Sequence, residues 1–438
     1  MYFVSDKGWA VFFMVCSLWC LGSWPVFFHI LEHRGRLPQH TYIDYAFSTF
    51  VVAVAFALTL GQIGSGTPEE PNFTTQLSQE NGPSVAIAML GGIALCLGNI
   101  GMQYSLAFLG ISLAEVVTAS LAVVVGTTLN YFLDGGLNRA EMLFPGVGCF
   151  LIAVLLGSLC HASNAVDINS KLVTQSICNN SDEIERGAAD HSMHFANVHV
   201  KLLDKNSCLK TSSNSEKGYE QSQCGTNSKT LQEELLETEE NTVIAKGSLL
   251  QIEENRAIKV RGASVFIGLG LGFFTGACYG LFSPLFNIAT NDQFHLLRPG
   301  IPHLVVYTTF FYFSIAFLLC GIAVSVYTIY NPFLGMPRSS LTAYLTDWKG
   351  RELAIMAGIM CGLGNGFQFM GGQAAGYAAA DAVQALPLVG TFWGIMLFEE
   401  YHRSSRKTYL LLAAMLFMFT VAVILLIASA RKREYEEP

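Results

Sequence analysis

Gly98–Glu115 reads GNIGMQYSLAFLGISLAE, and Gly364–Asp381 reads GNGFQFMGGQAAGYAAAD. Each stretch opens on a Gly-Asn pair and closes, sixteen residues after the asparagine, on a carboxylate set in apolar surroundings. An ionisable side chain at membrane depth costs roughly 2.5–3.5 kcal/mol even on the lenient insertion scale, so two of them at matching places point to use. The class expected from such a pattern is a transporter.

The surrounding composition fits a bilayer. Of 438 residues 52% are apolar and only 13% are charged. About 20 apolar residues cross a membrane as a helix, and ten candidate spans emerge: 8–31, 43–63, 84–106, 112–132, 142–159, 263–286, 304–327, 353–370, 375–398 and 409–428. Short turns at Gly110 and at Gly371-Gly372 are expected to make two tight hairpins. The first span begins close to Met1 without a basic leader, so it is expected to stay as a helix. The eleven cysteines show neither metal-like nor redox spacing, and no metal site is expected.

Between His161 and Asn255 lie 15 acidic and 8 basic residues among many Ser, Asn and Gln and few aromatics. A stretch of that composition cannot bury enough surface to repay its ordering, and its acidity argues against nucleic-acid binding. It is expected to be a mostly disordered central loop, with local helices around 230–240 and 248–260. The organisation is then residues 1–160 as a first five-helix repeat, 161–260 as a cytosolic loop, 261–430 as a second five-helix repeat and 431–438 as a short polar tail.

An offset of 266 residues carries Asn99 onto Asn365, Glu115 onto Asp381 and Asp134 onto Glu400. Because five is odd, the second half enters the membrane with opposite polarity, and the fold class expected is all-α integral membrane, a 5+5 inverted repeat with its site at the repeat interface. The connections after spans one, seven and nine carry eight Lys and Arg, whereas the opposite connections carry Lys7, Arg139 and Arg298. By the positive-inside rule this places the central loop in the cytosol. Glycines at 268, 272, 276 and 280, and at 358, 362 and 366, let two spans approach neighbours closely. Pro25, Pro284 and Pro387 are expected to interrupt spans one, six and nine.

Around the carboxylates stand uncharged hydrogen-bonding groups: Asn99, Gln103, Asn365, Gln368, Gln373 and Gln384. Amides both donate and accept, so this lining suits a small, neutral, planar solute with N–H and C=O groups, on which Trp24 is placed to stack. Other roles for such amides are bonds between helices. Burial disfavours the charged form of a carboxyl, so Asp381 and Glu115 are candidates for loading and releasing a proton. Asp134, Glu399 and Glu400 fall at helix ends and read as solvated, and His29 is a weaker candidate relay. No cofactor is expected; a proton gradient would supply the energy. An uncoupled facilitator or channel for small neutral polar solutes is the alternative.

The runs at 33–42 (HRGRLPQHTY), 283–292 (SPLFNIATND), 364–377 (GNGFQFMGGQAAGY), 381–387 (DAVQALP) and 404–409 (SSRKTY) closely resemble the plant ureide permease family. The resemblance spans all ten helices and fades in the central loop. It implies a proton-coupled importer of the drug/metabolite-transporter type for oxo derivatives of nitrogen heterocycles such as allantoin, uracil and xanthine-like compounds; a plasma-membrane location is a separate expectation. Family members also show a Walker-A-like string before span six. Here Ala257, Gly262 and Ser264 fall in that string, but Ala263 stands where the phosphate-contacting lysine belongs. A P-loop needs that lysine and a strand-to-helix turn, so an ATP-binding transporter is the weaker alternative.

Overall fold

The computed structural model describes residues 2, 4, 6–64, 66–68, 70–188, 265–332, 336–402 and 404–431, with side chains only as far as residue 168 in the stretch 70–188. Residues 1–165 and 252–438 form one unit and residues 166–251 another. Helices dominate, and no strand occurs among the described residues. Apart from the short helices Phe73–Gln76 and Leu341–Thr346, in chain order they are α1 (Lys7–His33), α2 (Pro38–Leu58), α3 (82–109), α4 (111–133), α5 (Ala140–Ala188), α6 (Val265–Asn291), α7 (Val306–Tyr330), α8 (Arg351–Ala375), α9 (Tyr377–Phe398) and α10 (Arg406–Ala428). Nine stretches among the described residues are long and apolar enough to cross a membrane. One of them, Gly82–Leu133, is 52 residues long and breaks at Gly110 (φ 73°, ψ 176°) into α3 and α4, so ten segments result.

The second hairpin breaks elsewhere than expected. Gly371 and Gly372 lie inside α8, and the chain turns at Gly376, φ 91° and ψ 136°. Neither glycine of the pair needs a positive φ, whereas Gly110 and Gly376 both adopt backbone that costs an L residue roughly 1–3 kcal/mol. These two turning glycines are themselves 266 residues apart. Pro25 and Pro284 sit within helices that continue through them, while Pro387 lies in the first turn of the last part of α9, Leu386–Phe398, which follows a 3-10 turn at Asp381–Gln384. A proline lacks only an N–H that the first turn leaves unpaired anyway, which suits it to that start. The helix α5 runs past the expected end of the fifth span to Ala188. The local helices expected at 230–240 and 248–260 and the Walker-like residues Ala257, Gly262 and Ser264 lie outside the described residues.

The glycine rows pack as their spacing predicts. A Cβ at Gly272, Gly276 or Gly280 would meet Val117, Leu121 or Val125 of α4 within 3.0 Å, so α6 lies directly on α4. On α8, Gly358 faces Ser48 and the Tyr45 carbonyl, Gly362 faces Val52 and Gly366 faces Phe56, one turn of α2 at a time. Lipid tails are as apolar as these side chains, so close van der Waals contact is what holds helices together here.

One face is tied by charge. The Arg36 guanidinium, between α1 and α2, donates to Asp44 at 2.6 Å, and Arg351 at the start of α8 reaches the same carboxylate at 3.2 Å. The Tyr344 hydroxyl donates to Asp44 at 2.7 Å, and His40 lies 2.9 Å from Asp347. Burial first, and then the Asp44 carboxylate, push the Tyr344 phenol up to about 12. Arg351 also covers the Tyr344 and Trp348 rings at 5.0 and 4.6 Å. The Arg-bearing connections after α1 and α7 therefore share one face.

A Gly276→Leu variant forces a side chain into the Thr118 carbonyl and Leu121, both 2.9 Å from the added Cβ. It is expected to cost about 1–3 kcal/mol through overpacking, read as a lower melting temperature in detergent. An exposed change such as Phe266→Leu, 83% accessible on the same helix, should leave it unmoved.

Candidate functional site

Five helices converge on a narrow cavity. Trp24 from α1, Asn99 from α3, Tyr279 from α6, Asn365 from α8 and Gln384 from α9 all line it. The Asn99 amide is fixed on both sides, its Nδ2 donating to the Tyr45 hydroxyl at 2.6 Å and its Oδ1 accepting from the Tyr279 hydroxyl at 2.7 Å. Asn365 donates back to the Cys361 carbonyl at 2.8 Å, and its buried Oδ1 has no partner. That orphan acceptor is the kind of group a ligand N–H would satisfy. Trp24 packs against Tyr45, ring centroids 5.3 Å apart. The free space is about 20 Å³, room for a water rather than for a ring. Admitting a heterocycle therefore requires the lining helices to separate.

Not all of the expected amides reach this cavity. Gln103 donates from Nε2 to the Pro38 carbonyl at 3.1 Å and holds α3 to the start of α2. Gln368 is fully buried with both amide ends unpaired, yet does not line the cavity, and Gln373 is half-buried near the end of α8. His29 packs its ring 4.6 Å from Phe398, beside Glu32 and His33.

The two carboxylates occupy one crossing, that of α4 with α9. Asp381 opens the 3-10 turn that ends on Gln384, and it is 1% exposed. Its Oδ2 accepts from Asn130 Nδ2 on α4 at 2.8 Å, and Gly126 leaves room for it one turn earlier. Asn130 Nδ2 also donates to the Ser283 hydroxyl at 2.9 Å, while its Oδ1 accepts from Asn287 at 3.1 Å. Asn287 donates onward to Asp134 at 3.0 Å, whose other oxygen accepts from the Tyr377 backbone N–H, also at 3.0 Å. A continuous polar row thus runs from Asp381 to the end of α4. Asp134 was expected to be solvated; it is instead half-buried and bonded to the first residue of α9.

Glu115 lies at the other end of the same crossing. It is fully buried, neither oxygen has a hydrogen-bond partner, and the backbone of Gly390 on α9 packs directly against the carboxyl. Close by, the Ser112 hydroxyl donates to Glu400, which follows α9. Burial pushes the Glu400 carboxyl above its ordinary range, and the Ser112 hydrogen bond opposes that shift. Glu400 too had been expected in solvent.

Sequence reasoning missed Tyr45, Asn130, Tyr279, Ser283 and Asn287. A signal existed for part of the set: Gly126, Asn130 and Asp134, and equally Ser283, Asn287 and Asn291, recur every four residues and so share a helix face. Nothing comparable singled out the two tyrosines, whose roles depend on which helices meet.

The family model for the ureide permeases matches residues 41–429. The chain belongs to the ureide permease family. It is 50% identical to Ureide permease 5 of Arabidopsis thaliana over 99% of this chain and 97% of that protein, and 50% identical to Ureide permease 2 of the same plant over 99% and 100%. It is 48% identical to Probable ureide permease A3 of Vigna unguiculata over 93% of this chain and all of that protein. No solved structure matches. Membership of this family, with the helix pattern above, makes the chain a multi-pass membrane transporter and not an enzyme.

An Asn130→Ala variant takes one hydrogen-bond donor from the buried Asp381 and unties Ser283 and Asn287 at once. A hydrogen bond to a charged group contributes about 1.5–3 kcal/mol, so transport by Asn130→Ala is expected to fall at least tenfold at equal surface abundance, as counted by labelled uptake beside surface biotinylation.

Proposed function

We propose that the chain is a proton-coupled importer of ureides and of oxo derivatives of nitrogen heterocycles such as allantoin, uracil and xanthine-like compounds. The observation that carries this reading is a single 3-10 turn: Asp381 at its start faces the Asn130 row, and Gln384 at its end lines the amide cavity. Side chains three apart in a 3-10 turn lie one above the other, so a proton gained or lost at Asp381 acts on the residue that meets the solute. Asn99, Asn365 and Gln384 offer donors and acceptors matched to an imide or ureide edge, and Trp24 offers a face for its plane. Among the described residues no Lys or Arg lines the cavity, which disfavours phosphates and dicarboxylates. The relatives named ureide permeases support the ureide as the substrate class.

Glu115 is assigned the lesser part, a carboxyl closed against Gly390 that reports on the α4–α9 crossing. We place the protein in the plasma membrane, with the Arg36, Arg338 and Arg351 face in the cytosol, and read its ten helices as a 5+5 inverted repeat. Support for the repeat comes from the matched turns at Gly110 and Gly376. It comes equally from the matched ties, in which Asp134 after α4 meets Tyr377 and Glu400 after α9 meets Ser112. Repeats rocking about such a crossing would open the cavity to one side and then the other.

Uptake of labelled allantoin and uracil into transporter-deficient yeast tests both parts. Wild-type uptake is expected to rise as external pH falls. Asp381→Asn, which cannot take a proton, should retain binding and lose that pH dependence; a variant as pH-sensitive as wild type would leave Asp381 uninvolved and favour an uncoupled facilitator. Gln384→Leu should raise KM for allantoin at least tenfold, since a site built for hydrogen bonds discriminates strongly against losing one.

A further inference from the structure

A second cavity opens away from the α4–α9 crossing, between α3, α6 and α7. Its volume is about 680 Å³, inside the range of about 300–1,000 Å³ that holds a drug-sized ligand. Its walls are apolar, formed by Leu97 and Ile100 of α3, Leu271 and Phe274 of α6 and Val324 of α7. Gly101 thins one wall. Phe274 is 49% exposed and Tyr327 at the rim 66%, so this groove faces outward along helices that span the bilayer. Its far end is polar: Thr328, then Asn331 at the C-terminus of α7, then Arg338.

The arginine gives the groove a polarity. Among the described residues Arg36, Arg298 and Arg351 pair with carboxylates, whereas Arg338, exposed at the mouth of the groove, does not. It stands on the face that carries the basic connections. An apolar slot lying along the helices, closed at the membrane surface by an unpaired guanidinium, is complementary to an anionic amphiphile: acyl chain along the slot, phosphate on the arginine. Basic pockets between helices on the cytosolic side bind anionic headgroups for this reason, and that leaflet is where anionic lipids concentrate.

We propose that this groove is a binding site for an anionic phospholipid of the cytosolic leaflet, with its phosphate on Arg338 and an acyl chain between α3, α6 and α7. The lipid would fill the gap between α6 and α7 and so brace α6, whose opposite side carries the glycine row on α4 and whose Tyr279 holds Asn99. The site rests on the proposed cytosolic placement of the Arg338 face but needs no statement about the transported solute, so it stands or falls apart from the substrate reading.

Native mass spectrometry of the full-length protein, purified and then exposed to phosphatidic acid or phosphatidylcholine of the same chains, tests it. Wild type should retain phosphatidic acid in preference to phosphatidylcholine. Arg338→Gln, a change at an exposed residue, should lose about fivefold of that preference, as expected for one basic group at an anionic surface. Val324→Trp, which fills the slot, should lower retention of both lipids. Equal retention of the two lipids by wild type, or no change in Arg338→Gln, would overturn the proposal. So would a stabilisation by inorganic phosphate in detergent equal to that by phosphatidic acid, which would make the arginine a plain anion site. A dimer that Val324→Trp dissociates would overturn it too, since a second copy would then occupy the groove.

Discussion

The α4–α9 crossing is arranged around the cost of keeping the Asp381 carboxyl in a dry place between helices. Asp381 is almost completely buried between α4, α6 and α9, where a polar group without a partner costs several kcal/mol. The protein meets that cost with a row of amides. Asn130 reaches Asp381, Asn287 reaches Asn130, and Asp134 anchors the far end. The row fits only because the helices lie close, and they lie close because Gly272, Gly276 and Gly280 present no side chain to α4 and Gly126 presents none to Asp381. A larger residue at any of these places would push the donors out of reach, so packing and electrostatics are one constraint here.

On the proposed mechanism, the same crossing links Asp381 to the amide cavity. Asp381 does not line the cavity; Gln384 does, and the two share one short turn bounded by Ala380 and Ala385. A 3-10 turn has poorer hydrogen-bond geometry than the α-helix it interrupts, and Pro387 just beyond it cannot donate a bond back into it. The turn is therefore the part of α9 least held by its own backbone and most dependent on the side chains around it. A change at Asp381 has a soft element to act on, whereas Glu115, set in a regular helix against the Gly390 backbone, has none.

Much of this was legible in the sequence, and the boundary between what was and was not has physical causes. Ten spans and both glycine rows follow from hydropathy and from four-residue spacing, which are local properties. The carboxylates stood out because charge is rare at that depth. Asn99, Asn365, Gln384 and Trp24 were placed at the site by residue type, and the cavity gathers those four. Gln103 is of the same type but ends on the Pro38 carbonyl, since residue type alone cannot tell a ligand amide from one that ties helices together. The turn at Gly376 was misplaced by a few residues because a Gly-Gly pair looks like the stronger breaker. Which glycine turns depends on where α8 meets Asn138, whose Nδ2 donates to the Ala375 carbonyl. Asp134 and Glu400 read as solvated ends because the helix that receives each one is distant in sequence.

The two ends of the α4–α9 crossing are unequal, and that inequality bears on how a transporter built this way would move. At one end Asp134 accepts from both Asn287 and the Tyr377 N–H, and Asn138 adds a bond to the Ala375 carbonyl. At the other, Glu400 is held by the Ser112 hydroxyl, and Glu115 beside it has no hydrogen bond at all. A bound solute shifts such an equilibrium only through a difference in its affinity for the two states. A single loosely tied end needs a smaller difference to open than one tied to three groups. The Asp134 end is the one that the amide row connects to Asp381. On the proposed mechanism, the proton site is thus wired to the end that is harder to open, where an external energy source has the most to contribute, and the Glu400 end is left to open on the solute's account.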